Sequence, residues 1–171
     1  MQIRTAVEDD HDGIKSLLNA AFRQAEEGKI VERLRADDAD SLELVADHHG
    51  DIAGMVMFSP ASAHLDDGTL LRGLGLGPVA VKPDHQNKGI GTALIEAGLE
   101  HFLPYPVAFF CVLGAPDYYA RFGFTPAIER GWRWSADDGS IPEMAQAFQI
   151  RLPRPLPAGH GIIRYHPAFD L

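Results

Sequence analysis

The sequence predicts an α/β fold in which strands and amphipathic helices share one core, and three observations carry that expectation. Two apolar, β-leaning runs, 42–46 and 52–58, flank the turn Asp47-His48-His49-Gly50-Asp51 and read as a hairpin. A strand over about 69–81 is followed by a strong helix pattern over 89–102 and a near-continuous apolar run over 107–113. Strand, helix, buried strand is the order that a parallel crossover produces. The length, 171 residues at 46% hydrophobic and 23% charged, supplies one sizeable core, so a single domain over 1–171 is expected.

In chain order, Ile3-Arg4-Thr5-Ala6-Val7 alternates like a short strand. Asp9 or Asp10 then caps a helix whose Ile14, Leu17, Leu18 and Ala21 share one face. Ile30, Val31 and Leu34 make a second, short helix after an exposed stretch around Ala25-Glu26-Glu27-Gly28. Beyond the hairpin, Gly73, Gly75 and Gly77 followed by Pro78 make the middle of the next strand irregular and invite a bulge. On the 89–102 helix, Thr92, Glu96 and Glu100 share one narrow arc, while Ile90, Ala93, Leu94, Ala97, Leu99 and Phe102 cover the rest. Most of its circumference is therefore expected to be buried. Pro106 and Gly114 bound the following strand, which the pattern covers on both faces. Pro116 starts a short helix through Arg121 that Gly123 ends, and Phe124 opens another extended segment. Trp132 and Trp134 alternate on a strand that Asp137-Asp138-Gly139 breaks. Residues 147–152 and 162–165 read as a closing pair of strands, joined by the stiff Pro153-Arg154-Pro155-Leu156-Pro157 connection.

Charge excludes several classes. Fifteen Lys and Arg against 24 Asp and Glu leave a formal net charge of -9, without the clustered basic face that nucleic acid binding needs. The acidity mildly favours a cationic substrate. No apolar run approaches the ~20 residues that cross a bilayer, and the N-terminus is polar, so no membrane partner and a cytoplasmic location are expected. Cys111, the single cysteine, rules out an intrachain disulfide framework and a Cys-rich zinc site, and lies in an apolar run where a thiol packs as a small hydrophobe. His64, His101 and His160 are scattered and His48-His49 sits in a turn, so no metal is expected.

There is no Gly-x-Ser-x-Gly elbow, no His-Glu-x-x-His and no Walker loop, and the Gly73/Gly75/Gly77 spacing runs into Pro78 where a dinucleotide fingerprint wants two variable residues and a glycine. What remains is Val79-Ala80-Val81-Lys82-Pro83-Asp84-His85-Gln86-Asn87-Lys88-Gly89-Ile90-Gly91-Thr92, a strand end, a polar turn and two glycines opening the apolar helix. The first turn of a helix presents unpaired N–H groups and the positive end of the macrodipole, and glycines there let an anion approach. Lys88 adds a local charge. By themselves, the two glycines equally permit a merely tight strand-to-helix turn.

The segment Gln86-Asn87-Lys88-Gly89-Ile90-Gly91 resembles the Gln/Arg-x-x-Gly-x-Gly/Ala pyrophosphate motif of the GCN5-related N-acetyltransferase (GNAT) family, with Val79-Ala80-Val81 and Pro83 at the family's offsets. Tyr118-Tyr119-Ala120-Arg121-Phe122-Gly123-Phe124 resembles the family's later Tyr-x-x-x-Gly-Phe helix, and the ending Arg164-Tyr165-His166-Pro167-Ala168-Phe169 is similar to its bacterial YhbS-like branch. The resemblance implies a central, mostly antiparallel sheet with one splayed parallel strand pair and helices on both faces. It implies acetyl-CoA as cosubstrate, held by the main chain of Val79 and Val81 along the pantetheine and by the amides of Gln86, Asn87, Lys88, Gly89, Ile90, Gly91 and Thr92 at the pyrophosphate. A backbone amide near Ala80 would face the developing oxyanion, and Tyr119 would donate a proton to the sulfur, with Tyr118 as a packing residue. Val112-Leu113-Gly114-Ala115 lacks the Asn that many members place near the pantetheine, and the 69–81 strand carries no Asp or Glu to serve as base, which leaves a water relay.

The implied activity is N-acetyl transfer to a small-molecule or peptide amine. Beside it stand a coenzyme-binding sensor without turnover and a plain interaction domain. Glu26, Glu27, Trp132, Trp134, Tyr165 and His166 are candidates for the border of an acceptor pocket, and exposed strand edges near the C-terminal end allow a homodimer.

Overall fold

Two long strands, β3 (Asp51–Leu65) and β4 (Leu70–Val81), are each shared between two units of the chain. In this computed structural model, which describes residues 1–170, the first unit takes Met1–Ser59, Leu76–Pro104 and the residues from Pro167; the second takes Pro60–Gly75 and Tyr105–His166. Leu171, the end of the expected domain, lies outside the described residues.

The first unit begins with β1 (Gln2–Thr5), a 3-10 turn Glu8–Asp10, α1 (His11–Ala21), α2 (Glu26–Ala36) and β2 (Leu42–His48). β2 pairs antiparallel with β1, from Gln2 opposite Asp47 to Thr5 opposite Leu44, and with β3, from Leu42 opposite Phe58 to His48 opposite Asp51. The hairpin turns through His49 and Gly50 at φ 55° and 87°, the primed geometry that matches strand twist. A register shift at Ala46/Asp47 puts one extra residue into β3, so Ile52, Met55 and Met57 share a face despite their spacing. That face packs on Ile14, Leu17 and Leu18 of α1 and on Val31 and Leu34 of α2. The opposite face receives α3 (Ile90–His101): a Cβ on Gly54 would lie 3.1 Å from Ile90 and Leu94, and one on Gly98 would overlap the Phe58 ring. Helices thus cover both faces of this part of the sheet.

The second unit holds β5 (Phe110–Leu113), α4 (Pro116–Tyr119) running into a 3-10 turn Ala120–Phe122, β6 (Thr125–Pro126), β7 (Trp132–Trp134), α5 (Met144–Ala147), β8 (Phe148–Arg151) and β9 (Gly161–Tyr165). β4 and β5 run parallel, Leu74 opposite Phe110 and Gly75 opposite Cys111, as the crossover pattern requires. β4 continues past that last partner as Leu76–Val81. Phe109, Cys111, Trp132, Phe148, Ile150 and Ile163 form the core of this unit, and the Trp132 indole N–H donates to the Gly159 carbonyl at 2.9 Å.

Several expectations need correction. The two closing strands do not pair with each other: β8 joins β5 and β6, while β9 joins β3 and β7. β3 runs on through Pro60 to Leu65 because β9 pairs with it from Ala61 to Leu65. α2 starts at Glu26, so the stretch expected to be loop is its first turn. β5 proper begins at Phe110, and Leu113 is 40% exposed, so only its middle is covered on both faces. Asp10 does not cap α1 through its side chain, which instead takes the Val7 N–H at 2.8 Å and two bonds from Arg4. The irregularity in β4 falls at Gly77, φ +142°, a value that favours glycine, followed by a cis peptide to Pro78.

Candidate functional site

The loop from β4 to α3 is set by residues that cannot continue a strand. Lys82 gives its N–H to the Ala53 carbonyl at 2.8 Å, and Pro83 opens a 3-10 turn through His85. Asn87 and Gly89 then enter the left-handed region at φ 60° and 82°. Asn tolerates that region better than most residues, and Gly occupies it freely. Gly89 is the cap residue of α3, its carbonyl accepting the Ala93 N–H at 3.0 Å, and the position a Cβ would take there is open.

A helix leaves its first-turn amides without i−4 acceptors of its own. α1 carries Asp12 in its first turn and α2 carries Glu26 and Glu27, but α3 has no acidic residue there. Its positive dipole end is therefore uncompensated by its own side chains. Lys88 leans back to the Asp84 carbonyl at 3.2 Å, and Lys82 is paired with Asp51 at 2.6 Å. The chemistry of this helix start, positive and free of its own carboxylates, fits a pyrophosphate-bearing ligand.

The structure brings Gln86, Asn87, Lys88, Gly89, Ile90, Gly91 and Thr92 into one continuous turn. On β4, Val79 and Val81 are half-buried and alternate with Ala80, which is 4% exposed and joins the core beneath α1 and α2. The Gln86 side-chain amide donates to the Val81 carbonyl at 3.1 Å, which takes one of that oxygen's two lone pairs. Sequence reasoning left His48 as a solvated turn residue. Its ring lies 5.7 Å from that of His85, whose Nδ1 is 2.9 Å from Asp84 and holds that carboxyl below its usual range. Only the tertiary hairpin places His48 beside the loop.

Tyr119 belongs to the second unit. Pro116 starts α4, and the Tyr119 N–H bonds the Ala115 carbonyl at 3.2 Å. The ring packs so tightly on Gly114 that a Cβ there would overlap it, which explains that glycine. Burial, with the neighbouring Tyr118 adding to it, pushes the Tyr119 phenol up to about 12. Tyr118 lies under the Arg121 guanidinium at 4.4 Å and meets Phe122 edge-on at 5.5 Å, the packing role expected of it.

Cys111 is fully buried and hydrogen-bonded with Tyr165; burial pushes its thiol up to about 12, which makes it inert as a nucleophile. Gln149 went unnoticed in the sequence: it is 1% exposed and donates to the carbonyls of Gly114 and Ala147 at 3.3 and 3.4 Å, fixing the turn under Tyr119. Among the described residues no group of three His, Cys, Asp or Glu could hold a metal ion, and no helix is long and apolar enough to cross a membrane.

Known proteins bear on this arrangement. The sequence model of the acetyltransferase (GNAT) domain matches residues 2–127. The uncharacterized N-acetyltransferase YhbS of Escherichia coli K12 is 34% identical, with 99% of both chains covered. The crystal structure of E. coli YhbS in complex with CoA superposes with a TM-score of 0.86 at 31% identity, covering 99% of this chain and 92% of that one. A GNAT family acetyltransferase from Brucella melitensis, solved in complex with acetyl-CoA, gives a TM-score of 0.78 at 34% identity, covering 99% of this chain and 97% of that one.

Proposed function

The chain belongs to the GNAT acetyltransferase family, and on that premise we propose that it transfers the acetyl group of acetyl-CoA to a small-molecule or peptide amine by direct attack, residues 1–171 acting as one catalytic domain. The observation that carries this reading is the start of α3, with no acidic side chain in its first turn and a left-handed Gly89 open where a Cβ would sit. Relatives solved with CoA and acetyl-CoA, 31% and 34% identical, support it. The amides from Gln86 to Thr92 hold the pyrophosphate. The main chain of Val79 and Val81 pairs with the pantetheine arm as an added strand would.

Acetyl-CoA supplies the thioester carbonyl and a thiolate leaving group. The amine attacks in its neutral form; an N–C bond forms, the C–S bond breaks, and one proton passes overall from nitrogen to sulfur. A backbone N–H near Ala80 donates to the carbonyl oxygen as negative charge builds on it. Water takes the amine proton, since β4 carries no carboxylate. Tyr119 donates toward the departing sulfur. With its phenol at about 12 it stays protonated across the physiological range. Against a thiol of pKa ~8.5 full transfer is uphill, so its contribution is chiefly a hydrogen bond to developing thiolate. A phenol this high puts no falling limb on the pH–rate profile below pH ~11.

Calorimetric titration with acetyl-CoA, read beside release of free thiol over a panel of primary amines, tests the reading. Binding together with amine-dependent thiol release is expected. Binding without release across the panel would make the protein a coenzyme sensor, and no binding would remove both roles.

A further inference from the structure

A cavity of about 220 Å³ opens within the second unit, lined by Ile128 ahead of β7, by β7 and the turn after it, by α5 and by the start of β8. One wall is aromatic: the half-buried Trp134 indole stacks on Phe148 at 6.3 Å with 25° between the planes. The turn after β7 contributes Asp137 and Asp138 to the lining. Their Oδ1 atoms accept the Gly139 and Ser140 N–H groups at 3.0 and 2.8 Å, which orients the carboxylates. Bonds from Ser140 hold the Asp138 carboxyl below its usual range. Arg133 also lines the cavity, so its charged groups are two carboxylates and one guanidinium.

An aromatic face beside surplus negative charge selects a cation over a neutral or anionic ligand. The space, about 220 Å³, is enough for a short aliphatic arm with its ammonium. The back of the aromatic wall meets Tyr165, whose ring lies 6.2 Å from both Trp134 and Phe148. The Tyr165 hydroxyl is hydrogen-bonded with Cys111 and feels the charge of Tyr119.

A cation held here cannot be the attacking nitrogen. Carboxylates that favour the ammonium raise the amine's pKa and lower the fraction that is neutral. The bound ammonium must therefore be a second amino group. We propose that this cavity anchors the non-reacting ammonium of a short aliphatic diamine, which makes diamines the acceptor class. The binding stands on the cavity alone; only the fate of the other amino group rests on the acetyltransferase reading.

Both tryptophans of the chain, Trp132 and Trp134, line the cavity, so intrinsic fluorescence reports on it. In the full-length protein without coenzyme, 1,4-diaminobutane and n-butylamine should each give a saturable change, and butyrate none. In turnover, 1,4-diaminobutane should be acetylated, with n-butylamine acting as a competitive inhibitor against it. Asp137→Asn combined with Asp138→Asn should raise the diamine KM roughly tenfold with kcat within about twofold. Arg133→Ala, which removes a like charge, should lower that KM. No fluorescence response to either amine, or a diamine KM untouched by these substitutions in variants of unchanged thermal stability, would overturn the proposal. A fluorescence response with thiol release from other amines but none from the diamine would overturn the diamine as acceptor and leave the acetyltransferase reading standing, whereas no release from any amine would overturn that reading and leave the ammonium site.

Discussion

Two helices of the first unit begin in opposite ways. α1 starts behind Asp10, whose carboxylate takes two bonds from Arg4 at 2.7 and 2.9 Å and one from the Val7 N–H, and Asp12 follows in its first turn. α3 starts behind Gly89 and has no acidic residue in its first turn. Both ends carry the positive end of a helix dipole. At α1 the chain supplies its own carboxylates and at α3 it withholds them. On the proposed function, that difference separates a structural helix start from a binding one without appeal to any single motif.

The largest effect should come from separating binding from chemistry. If the α3 start only binds, Tyr119→Phe should lower kcat by ~10²-fold and by 10⁴ at most, with acetyl-CoA affinity nearly intact. Steady-state kinetics beside calorimetry would show it, and unchanged turnover would remove Tyr119 from the chemistry. Next, Gly89→Val puts a branched side chain into the open space at φ 82°. Loss of one charge-assisted phosphate contact, worth ~1.5–3 kcal/mol, corresponds to affinity lowered about 10- to 150-fold.

The reciprocal change at α1 should act on stability alone. Asp10→Ala should cost ~1–2 kcal/mol at neutral pH in urea unfolding, the Arg4 side being half-exposed, and leave acetyl-CoA affinity as it was. Asp10 is lowered from 3.8 to about 2, chiefly by the Arg4 bonds. Its contribution is therefore complete above pH 3.8 and disappears as the pH falls through 2. The stability gap between the parent chain and Asp10→Ala should close over that interval. The smallest effect falls on α2, which begins with its own Glu26 and Glu27. Gly28 lies inside that helix with nothing within 4 Å of its Cβ position, so Gly28→Ala should add ~0.5–1 kcal/mol of stability and change no affinity.

Much of this contrast was legible in the sequence, because it depends on local residue types. Gly89 after a polar turn and before an apolar helix pattern announces an open helix start, and an apolar run after that helix announces the parallel β4–β5 pair. Long-range choices were not legible. Pro60-Ala61-Ser62-Ala63 has no strand signature of its own and is extended because β9 pairs with it. β8 and β9 neighbour each other along the chain but bond elsewhere, a choice that no local pattern encodes. The carboxylate of Asp10 looks like a helix cap until Arg4 and Asp47 are brought beside it in space. Gln149 reads as an ordinary polar strand residue, and only the fold buries it under the Gly114 turn.

The most direct measurement follows the backbone amides by ¹⁵N–¹H correlation spectra during titration with coenzyme A. The largest shifts, with slowed hydrogen exchange, should fall on Gly89, Ile90, Gly91 and Thr92, while Asp10, His11 and Asp12 at the start of α1 stay where they are. Saturable binding that leaves the four α3 amides unmoved, or that moves both helix starts alike, would contradict the account.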